Sequence, residues 1–314
     1  MANTKKLAIV FPGQGSQSVG MLQELAAAFP IVAETFAEAS DALGYDLWAL
    51  VQNGPAEDLN RTDRTQPAML AAGVAVWRVW QAQGGPAPAV MAGHSLGEYT
   101  ALVCAEALAF APAVALVAER GRFMQEAVPA GEGAMAAVLG LDDDAVREAC
   151  ARAAAGDVVE AVNLNAPGQV VIAGSKAAVD RAIEELKAAG AKRAVPLPVS
   201  VPSHCALMRP AAERLADYLA QVEIQAPKIP VLHNVDVQVS ADAAAVRERL
   251  VRQLYSPVRW VETVQAMVAQ GVGRIIECGP GKVLAGLNKR IAKEADALTV
   301  YDPASLEAAL KEES

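Results

Sequence analysis

Histidine is scarce in this chain. There are three in 314 residues, His94, His204 and His233, so the search for an imidazole base is short. Cysteine is scarce too: Cys104, Cys150, Cys205 and Cys278 are scattered without a Cys-x-x-Cys pair, which indicates neither a disulfide framework nor a zinc site. No metal and no tightly bound cofactor is expected. Aromatic residues make up only 4%, and the alanine that replaces them suits closely packed helices. No apolar stretch approaches the ~20 residues of a membrane span. Behind the basic start Met1-Ala2-Asn3-Thr4-Lys5-Lys6, the run Leu7–Phe11 is too short for a secretion signal and ends in Pro-Gly. A cytoplasmic protein with no membrane contact is therefore expected. Excess positive charge is also missing. A formal net charge of -9 argues against a general nucleic-acid binder, although a local cationic pocket can still take an anionic ligand.

With 53% hydrophobic residues, the chain can bury a substantial core as one large domain or two. Its most informative stretch is Gly93-His94-Ser95-Leu96-Gly97-Glu98. The apolar run Ala89–Ala92 before it reads as a buried strand, and Tyr99–Ala105 after it reads as a helix. A Gly-x-Ser-x-Gly between strand and helix is a nucleophile elbow, in which glycines permit the tight turn and serine stands at its apex. The helix N-terminus then favours negative charge beside the hydroxyl. The alternative is a glycine-rich turn with an incidental serine.

A second glycine-rich turn, Pro12-Gly13-Gln14-Gly15-Ser16-Gln17, follows the first expected strand (7–11). It is not a Rossmann loop, because the third glycine of Gly-x-Gly-x-x-Gly would fall at Ser18, and no Gly-Lys-Ser/Thr follows to make a Walker loop. Open N–H groups at a strand end are half of what an oxyanion hole needs. Helices are expected over 18–29, 31–43, 56–82 and 112–127. From 131 to 199 the pattern changes to strand 134–139, helix 142–155, strands 158–163 and 170–173, helix 175–189 and strand 192–198. That β-α-β-β-α-β order is ferredoxin-like. Beyond it come helix 206–220, strand 231–235, helices 242–255 and 259–270, strand 274–278, helix 283–293, strand 298–301 and helix 303–312. Strands alternating with helices on both sides of the block imply a mainly parallel sheet covered on both faces. The expected architecture is an α/β-hydrolase-like core (1–128 and 200–314) carrying an inserted ferredoxin-like small domain (129–199).

Arg120 falls on the apolar stripe of helix 112–127, with Leu116 and Phe123 as neighbours at helical spacing. A guanidinium there must find an anion, either in an internal salt bridge or in a substrate carboxylate. Of the histidines, His204 sits in a Pro-bounded loop before a helix, where catalytic groups are commonly presented, and is preferred as the base. His94 adjoins the serine, but neighbouring side chains across a sharp turn diverge, which suits a pocket wall. His233, in a strand-like run, reads as a satisfied core residue. Cys205 has nothing beside it to depress its pKa and reads as a buried thiol. No acid at the end of a main-sheet strand offers itself as a third triad member, so the imidazole is read as held by a neutral acceptor. Such a weaker base suits a thiol acceptor (pKa about 8.5) better than water (about 15.7), hinting at acyl transfer over hydrolysis.

Phe11–Gln17, Gly93–Glu98, Arg120, Asn165-Ala166-Pro167-Gly168-Gln169, Pro202-Ser203-His204 and Gln253–Val258 together, in order and over nearly the whole chain, resemble the motifs of the malonyl-CoA:acyl carrier protein transacylases. The resemblance implies that Ser95 takes the malonyl group from malonyl-CoA as an ester and passes it to the phosphopantetheine thiol of acyl carrier protein. It implies His204 as the base, oriented by the Gln253 carbonyl, and N–H groups of Gln14 and Leu96 as the oxyanion hole. Arg120 would grip the malonyl carboxylate, with Asn165 and His94 near the site. A monomer is expected, and an acidic carrier would need a basic patch, for which Lys192, Arg193, Lys282, Lys289 and Arg290 are candidates. The rivals are a free-standing polyketide-type acyltransferase, a serine esterase or thioesterase, and a non-catalytic acyl-binding protein.

Overall fold

A computed structural model describes residues 5–199 and 201–311. Met1–Thr4 of the basic start, Ser200 at the expected return from the small block, and residue 312 of the last expected helix lie outside them. The chain opens with β1 (Lys6–Phe11) and continues through α1 (Gln23–Ala28), α2 (Ile31–Leu43), α3 (Leu47–Asn53), α4 (Ala56–Leu59) and α5 (Thr62–Ala82). Three details differ from the periodicity reading. Residues 18–22 are not helical, because Gly20 (φ 83°) and Leu22 (φ 60°) turn through the left-handed region before α1 can start. Helix α3, hidden in a short apolar run, is started by Asp46, whose carboxylate accepts the Ala49 N–H at 2.8 Å. The expected helix 56–82 is divided, since Arg61 is extended (ψ 132°) and restarts the chain into α5.

After β2 (Val90–Gly93) come α6 (Leu96–Cys104) and α7 (Phe110–Ala127). The next block contains β3 (Gly133–Leu139), α8 (Asp143–Ala154), β4 (Val159–Ala166), β5 (Gln169–Ser175), α9 (Lys176–Ala188) and β6 (Arg193–Pro196). The remainder holds α10 (Arg209–Leu219), β7 (Val231–Leu232), α11 (Ala243–Gln253), α12 (Trp260–Ala269), β8 (Val272–Cys278), α13 (Val283–Ile291), β9 (Asp296–Val300) and α14 (Pro303–Lys311). Strand β7 is only two residues long, where five were expected. His233 and Asn234 leave the ladder and turn their side chains to other work.

The strands form two sheets. One has the order β7-β2-β1-β8-β9 and is parallel throughout, and the other has the order β4-β5-β3-β6 and is antiparallel throughout. Period-two alternation in β1 sends Leu7, Ile9 and Phe11 into a core built with α2, α5, α6 and α7, while Ala8 and Val10 face Trp260, Val264 and Met267. Burial on both faces explains why β1 reads as an unbroken apolar run. In the antiparallel sheet, α8 and α9 cover one face through Val146, Val179, Ile183 and Leu186. Its other face, with Met135, Val162, Val171 and Ala173, encloses Cys205. The sheets are also joined by main-chain bonds: Val258 N–H donates to Val162 O (2.8 Å), and Leu164 N–H donates to Val258 O (3.0 Å). β1 and β2 end side by side, and their C-terminal turns meet.

Candidate active site

Ser95 lies at the turn from β2 into α6 with φ 50° and ψ -108°, a conformation that a side-chain-bearing residue adopts only under constraint. Close packing supplies the constraint. A Cβ on Gly93 would lie 1.8 Å from the Gly97 carbonyl carbon, and one on Gly97 would lie 2.1 Å from the Phe11 carbonyl oxygen. Both contacts are with main chain, which cannot step aside. Gly93→Ala is expected to lower the melting temperature by on the order of 10 °C, as scanning calorimetry would read.

His204 comes to this serine from a loop 109 residues away, and its Nε2 lies 2.7 Å from Ser95 Oγ. The residue is buried and has φ 66°, with its N–H donating to Leu254 O at 3.0 Å. Its Nδ1 lies 2.8 Å from the main-chain oxygen of Gln253. A carbonyl can only accept, so Nδ1 carries the ring proton and Nε2 is left to accept from the serine hydroxyl. Burial, reinforced by the neighbouring Arg120 cation, pushes the His204 pKa down to about 3, and the ring is neutral at ordinary pH.

The other two histidines turn elsewhere. His94 Nε2 pairs with Asn165 Oδ1 of β4 at 2.8 Å, and its ring tilts against Trp260 at 5.6 Å. Burial lowers its pKa as well. His233 is wholly buried, with Nδ1 at 2.7 Å from Glu98 Oε1 and Nε2 at 2.7 Å from Ser240 Oγ.

Arg120 projects from α7 and is 1% exposed. Its partners are neutral. Nη1 donates to Gln66 Oε1 at 2.7 Å, Nη2 donates to Gln253 Oε1 at 2.9 Å and reaches Ser95 Oγ at 3.4 Å, and the Tyr99 ring lies 5.2 Å away. The Nε–H finds no acceptor among the described residues. Burial lowers its pKa, yet a guanidinium stays charged at neutral pH. A buried cation beside a hydroxyl, with no carboxylate in hydrogen-bond contact, has donors to spare for an anion. Gln253 ties the group together: its side chain accepts from Arg120 and donates to Ser95 O at 3.0 Å, while its own carbonyl faces His204.

Leu96 opens α6, so its N–H has no partner within the helix. The turn after β1 packs against it: a Cβ on Gly13 would lie 2.4 Å from His94 O and 3.7 Å from Leu96 N. Gln14, the next residue, thereby stands beside the elbow, its side chain 3.5 Å from Thr62 Oγ1. Cys205, adjacent to the base, has its thiol pushed up to about 12 by burial and is inert as a nucleophile. Lys192 and Arg193 are exposed at the start of β6, and Lys282, Lys289 and Arg290 are exposed around α13, with Arg290 donating to Pro167 O at 2.8 Å. Among the described residues no cluster of three His, Cys, Asp or Glu could hold a metal, and no helix is long and apolar enough to cross a membrane.

Three polar residues of this assembly have no role in the sequence reading. Gln66 accepts from Arg120. Asn234 accepts from the Ser95 N–H and donates to Gly93 O, both at 2.7 Å, and Glu98 accepts the Asn234 N–H at 2.8 Å. The separations along the chain hide these pairs. The one local signal is an acid in the first turn of a helix whose other residues, Tyr99 and Thr100 apart, are apolar or glycine.

Comparison with known proteins places this geometry in context. The family described as "Acyl transferase domain" matches residues 8–305. The chain is similar to the malonyl CoA-acyl carrier protein transacylase of Salmonella typhimurium, with 64% identity over 305 residues, covering 97% of this chain and 99% of the relative. It is similar in structure to an acyl carrier protein S-malonyltransferase from Vibrio cholerae (TM-score 0.95, 64% identity, 96% of this chain and 99% of the other covered). It is also similar to a malonyl-transacylase solved in complex with a type II PKS acyl-carrier protein (TM-score 0.97, 60% identity, 98% and 99% covered).

Proposed function

Because the chain belongs to the acyl transferase domain family, we propose that it moves the malonyl group from malonyl-CoA to the phosphopantetheine thiol of an acyl carrier protein by way of an ester on Ser95. The observation that carries the reading is the meeting of three groups at one hydroxyl: Ser95 Oγ stands 2.7 Å from a neutral imidazole and 3.4 Å from a guanidinium with no carboxylate partner.

In the first half-reaction Ser95 Oγ attacks the thioester carbonyl as its proton passes to His204 Nε2. The carbonyl electrons collect on an oxyanion received by the N–H groups of Leu96 and Gln14. Collapse breaks the carbon–sulfur bond, and the departing coenzyme A sulfur takes the proton from His204. In the second half-reaction the carrier thiol gives its proton to His204 and attacks the ester, and Ser95 leaves with the proton restored. Arg120 holds the distal carboxylate in both halves by charge-assisted bonds. His94, next to the serine and paired with Asn165, contributes to the wall of the site. A carbonyl behind His204, where hydrolases place a carboxylate, stabilises the imidazolium less and favours an acidic thiol over water.

The transacylase solved with an acyl-carrier protein supports a carrier as acceptor. The order β4-β5-β3-β6, with α8 and α9 on one face, supports a ferredoxin-like small domain over 129–199, and the elbow at the end of a parallel sheet supports a hydrolase-like remainder, 1–128 and 200–314. A soluble acyl donor and a soluble carrier support a cytoplasmic location for the reaction.

Mixing the protein with malonyl-CoA alone is expected to give one malonyl adduct per chain, located on Ser95 by peptide mass spectrometry, with little free malonate. An adduct on a cysteine overturns the mechanism. Rapid release of malonate without an acceptor thiol makes the protein a thioesterase, and no adduct at all leaves a binding protein.

A further inference from the structure

We infer that Asn234 is a positioning residue for this acyl transfer: it keeps the amide of the nucleophile out of the oxyanion site and holds the strained elbow in its reactive shape. The inference rests on Ser95 being the nucleophile. Asn234 is fully buried just beyond β7, and its side chain spans the turn. Oδ1 accepts from the Ser95 N–H and Nδ2 donates to Gly93 O, each at 2.7 Å. These groups belong to the two peptide planes on either side of His94. Gln253 Nε2, donating to Ser95 O at 3.0 Å, holds the third plane, the one that carries the Leu96 N–H. Main-chain bonds engage one group of each plane: the His94 N–H donates to Phe11 O (3.0 Å), the Gly97 N–H to His94 O (2.9 Å) and the Glu98 N–H to Ser95 O (3.1 Å). Two side chains from distant parts of the chain add a second hold on all three.

This matters because Ser95 sits at φ 50° and ψ -108°. A peptide free to rotate there would relax, carrying Oγ off His204 and turning the Leu96 N–H away from the substrate. An unpaired Ser95 N–H would also compete for the oxyanion from a poorer direction. With Oδ1 on that N–H, the donors left for the oxyanion are Leu96 and Gln14.

Asn234 is itself held. Its N–H donates to Glu98 Oε2 at 2.8 Å, and Glu98 Oε1 lies 2.7 Å from His233 Nδ1, both residues fully buried. His233 Nε2 meets Ser240 Oγ at 2.7 Å, which accepts from Arg249 Nη1 at 3.1 Å, and Arg249 pairs with Asp236 at 2.9 Å. The inner links, Asn234, Glu98 and His233, are fully buried and paired, and they fix geometry at a depth where a loose link is costly. Ser240, Arg249 and Asp236 carry the network out to the half-buried rim. The Glu98 main-chain N–H also donates to Ser95 O at 3.1 Å. Among the side chains of this network, however, only that of Asn234 bonds the main chain between Gly93 and Ser95, and the others act through it.

Rapid-quench mass spectrometry of full-length Asn234→Ala and Glu98→Gln with malonyl-CoA alone separates rate from amplitude. Asn234→Ala is expected to form the Ser95 adduct roughly 10- to 100-fold more slowly at saturating donor. It should still reach one adduct per chain, with half-saturation within about two-fold of wild type because Arg120 is untouched. Glu98→Gln, nearly isosteric, is expected to slow adduct formation by roughly 3- to 10-fold and decides the matter if Asn234→Ala does not fold. Rates within about two-fold of wild type, or a reduced amplitude at an unchanged rate, overturn the positioning role. A wild-type protein that forms no Ser95 adduct overturns the nucleophile reading instead.

Discussion

His204→Ala is expected to slow formation of the Ser95 ester by roughly 10²- to 10⁴-fold while leaving the half-saturating donor concentration within about two-fold, as rapid-quench mass spectrometry would read. The size follows from what the imidazole does: at 2.7 Å from the hydroxyl it is the acceptor in line for the proton. The pH dependence follows from its surroundings. The working form is neutral, and burial has pushed the pKa down to about 3, so the acid limb of the pH–rate profile due to this group falls far below the ordinary histidine value of about 6.5. An acid limb between pH 6 and 7 that disappears in His204→Ala would contradict the burial. The same shift has a cost in stability. Between about pH 3 and 6.5 the unfolded chain binds a proton here that the native chain refuses. Stability is therefore full above about 6.5 and declines as pH falls through that window, by up to about 1.4 kcal/mol per unit from this one group. Urea melts at pH 6.5 and 4.5 check it: His204→Gln is expected to show a shallower acid loss than wild type.

Much of this arrangement is legible in the sequence wherever the governing physics is local. The elbow is legible because a turn in which a Cβ on Gly93 would lie 1.8 Å from the Gly97 main chain admits no side chain, so the requirement is written as two glycines. Arg120 is legible because 3.6-residue periodicity puts it on a stripe whose other members are apolar. Strand β1 is legible because burial on both faces leaves no polar position from Leu7 to Phe11. What is hidden is hidden by distance along the chain. Asn234 meets Ser95 across 139 residues and Glu98 meets His233 across 135, and nothing near 233–234 says that β7 ends at Leu232. The expected strand 231–235 follows the apolar pattern of Val231, Leu232 and Val235. In the structure it ends early, with Asn234 bonding inward to the elbow and His233 bonding Glu98 and Ser240. Gln66 is hidden within a long buried helix in the same way. Local errors have local causes: Leu22 and Arg61 break expected helices with backbone conformations that neither residue type announces.

Arg120→Ala is expected to lower malonyl transfer by one to two orders of magnitude and to leave acetyl transfer within a few-fold. Parallel assays with malonyl-CoA and acetyl-CoA would measure the split. A charge-assisted bond contributes roughly 1.5–3 kcal/mol, about 10- to 150-fold, and only the diacid can make it. The cation is poised for the role because its protein contacts, Gln66, Gln253 and the Ser95 hydroxyl, are all neutral. Truncation leaves both amide oxygens without a donor, a loss felt equally by the two substrates, so the ratio is the decisive quantity. If both rates fell together, the guanidinium would be bracing the site and not choosing the substrate. Arg120 also reaches the base through space, since its charge is one of the causes that lower the His204 pKa. Removing it takes away an influence that disfavours the imidazolium, so the acid limb of acetyl transfer is expected to move to higher pH in Arg120→Ala. A bound malonyl carboxylate neutralises the same charge in the wild-type enzyme. The diacid thereby strengthens the base that acts on it, and acetyl, which brings no carboxylate, leaves the imidazole facing an unscreened cation. Selection and activation then reside in one ion pair, and the acid limb for malonyl transfer is expected to lie above that for acetyl transfer in the unmodified protein.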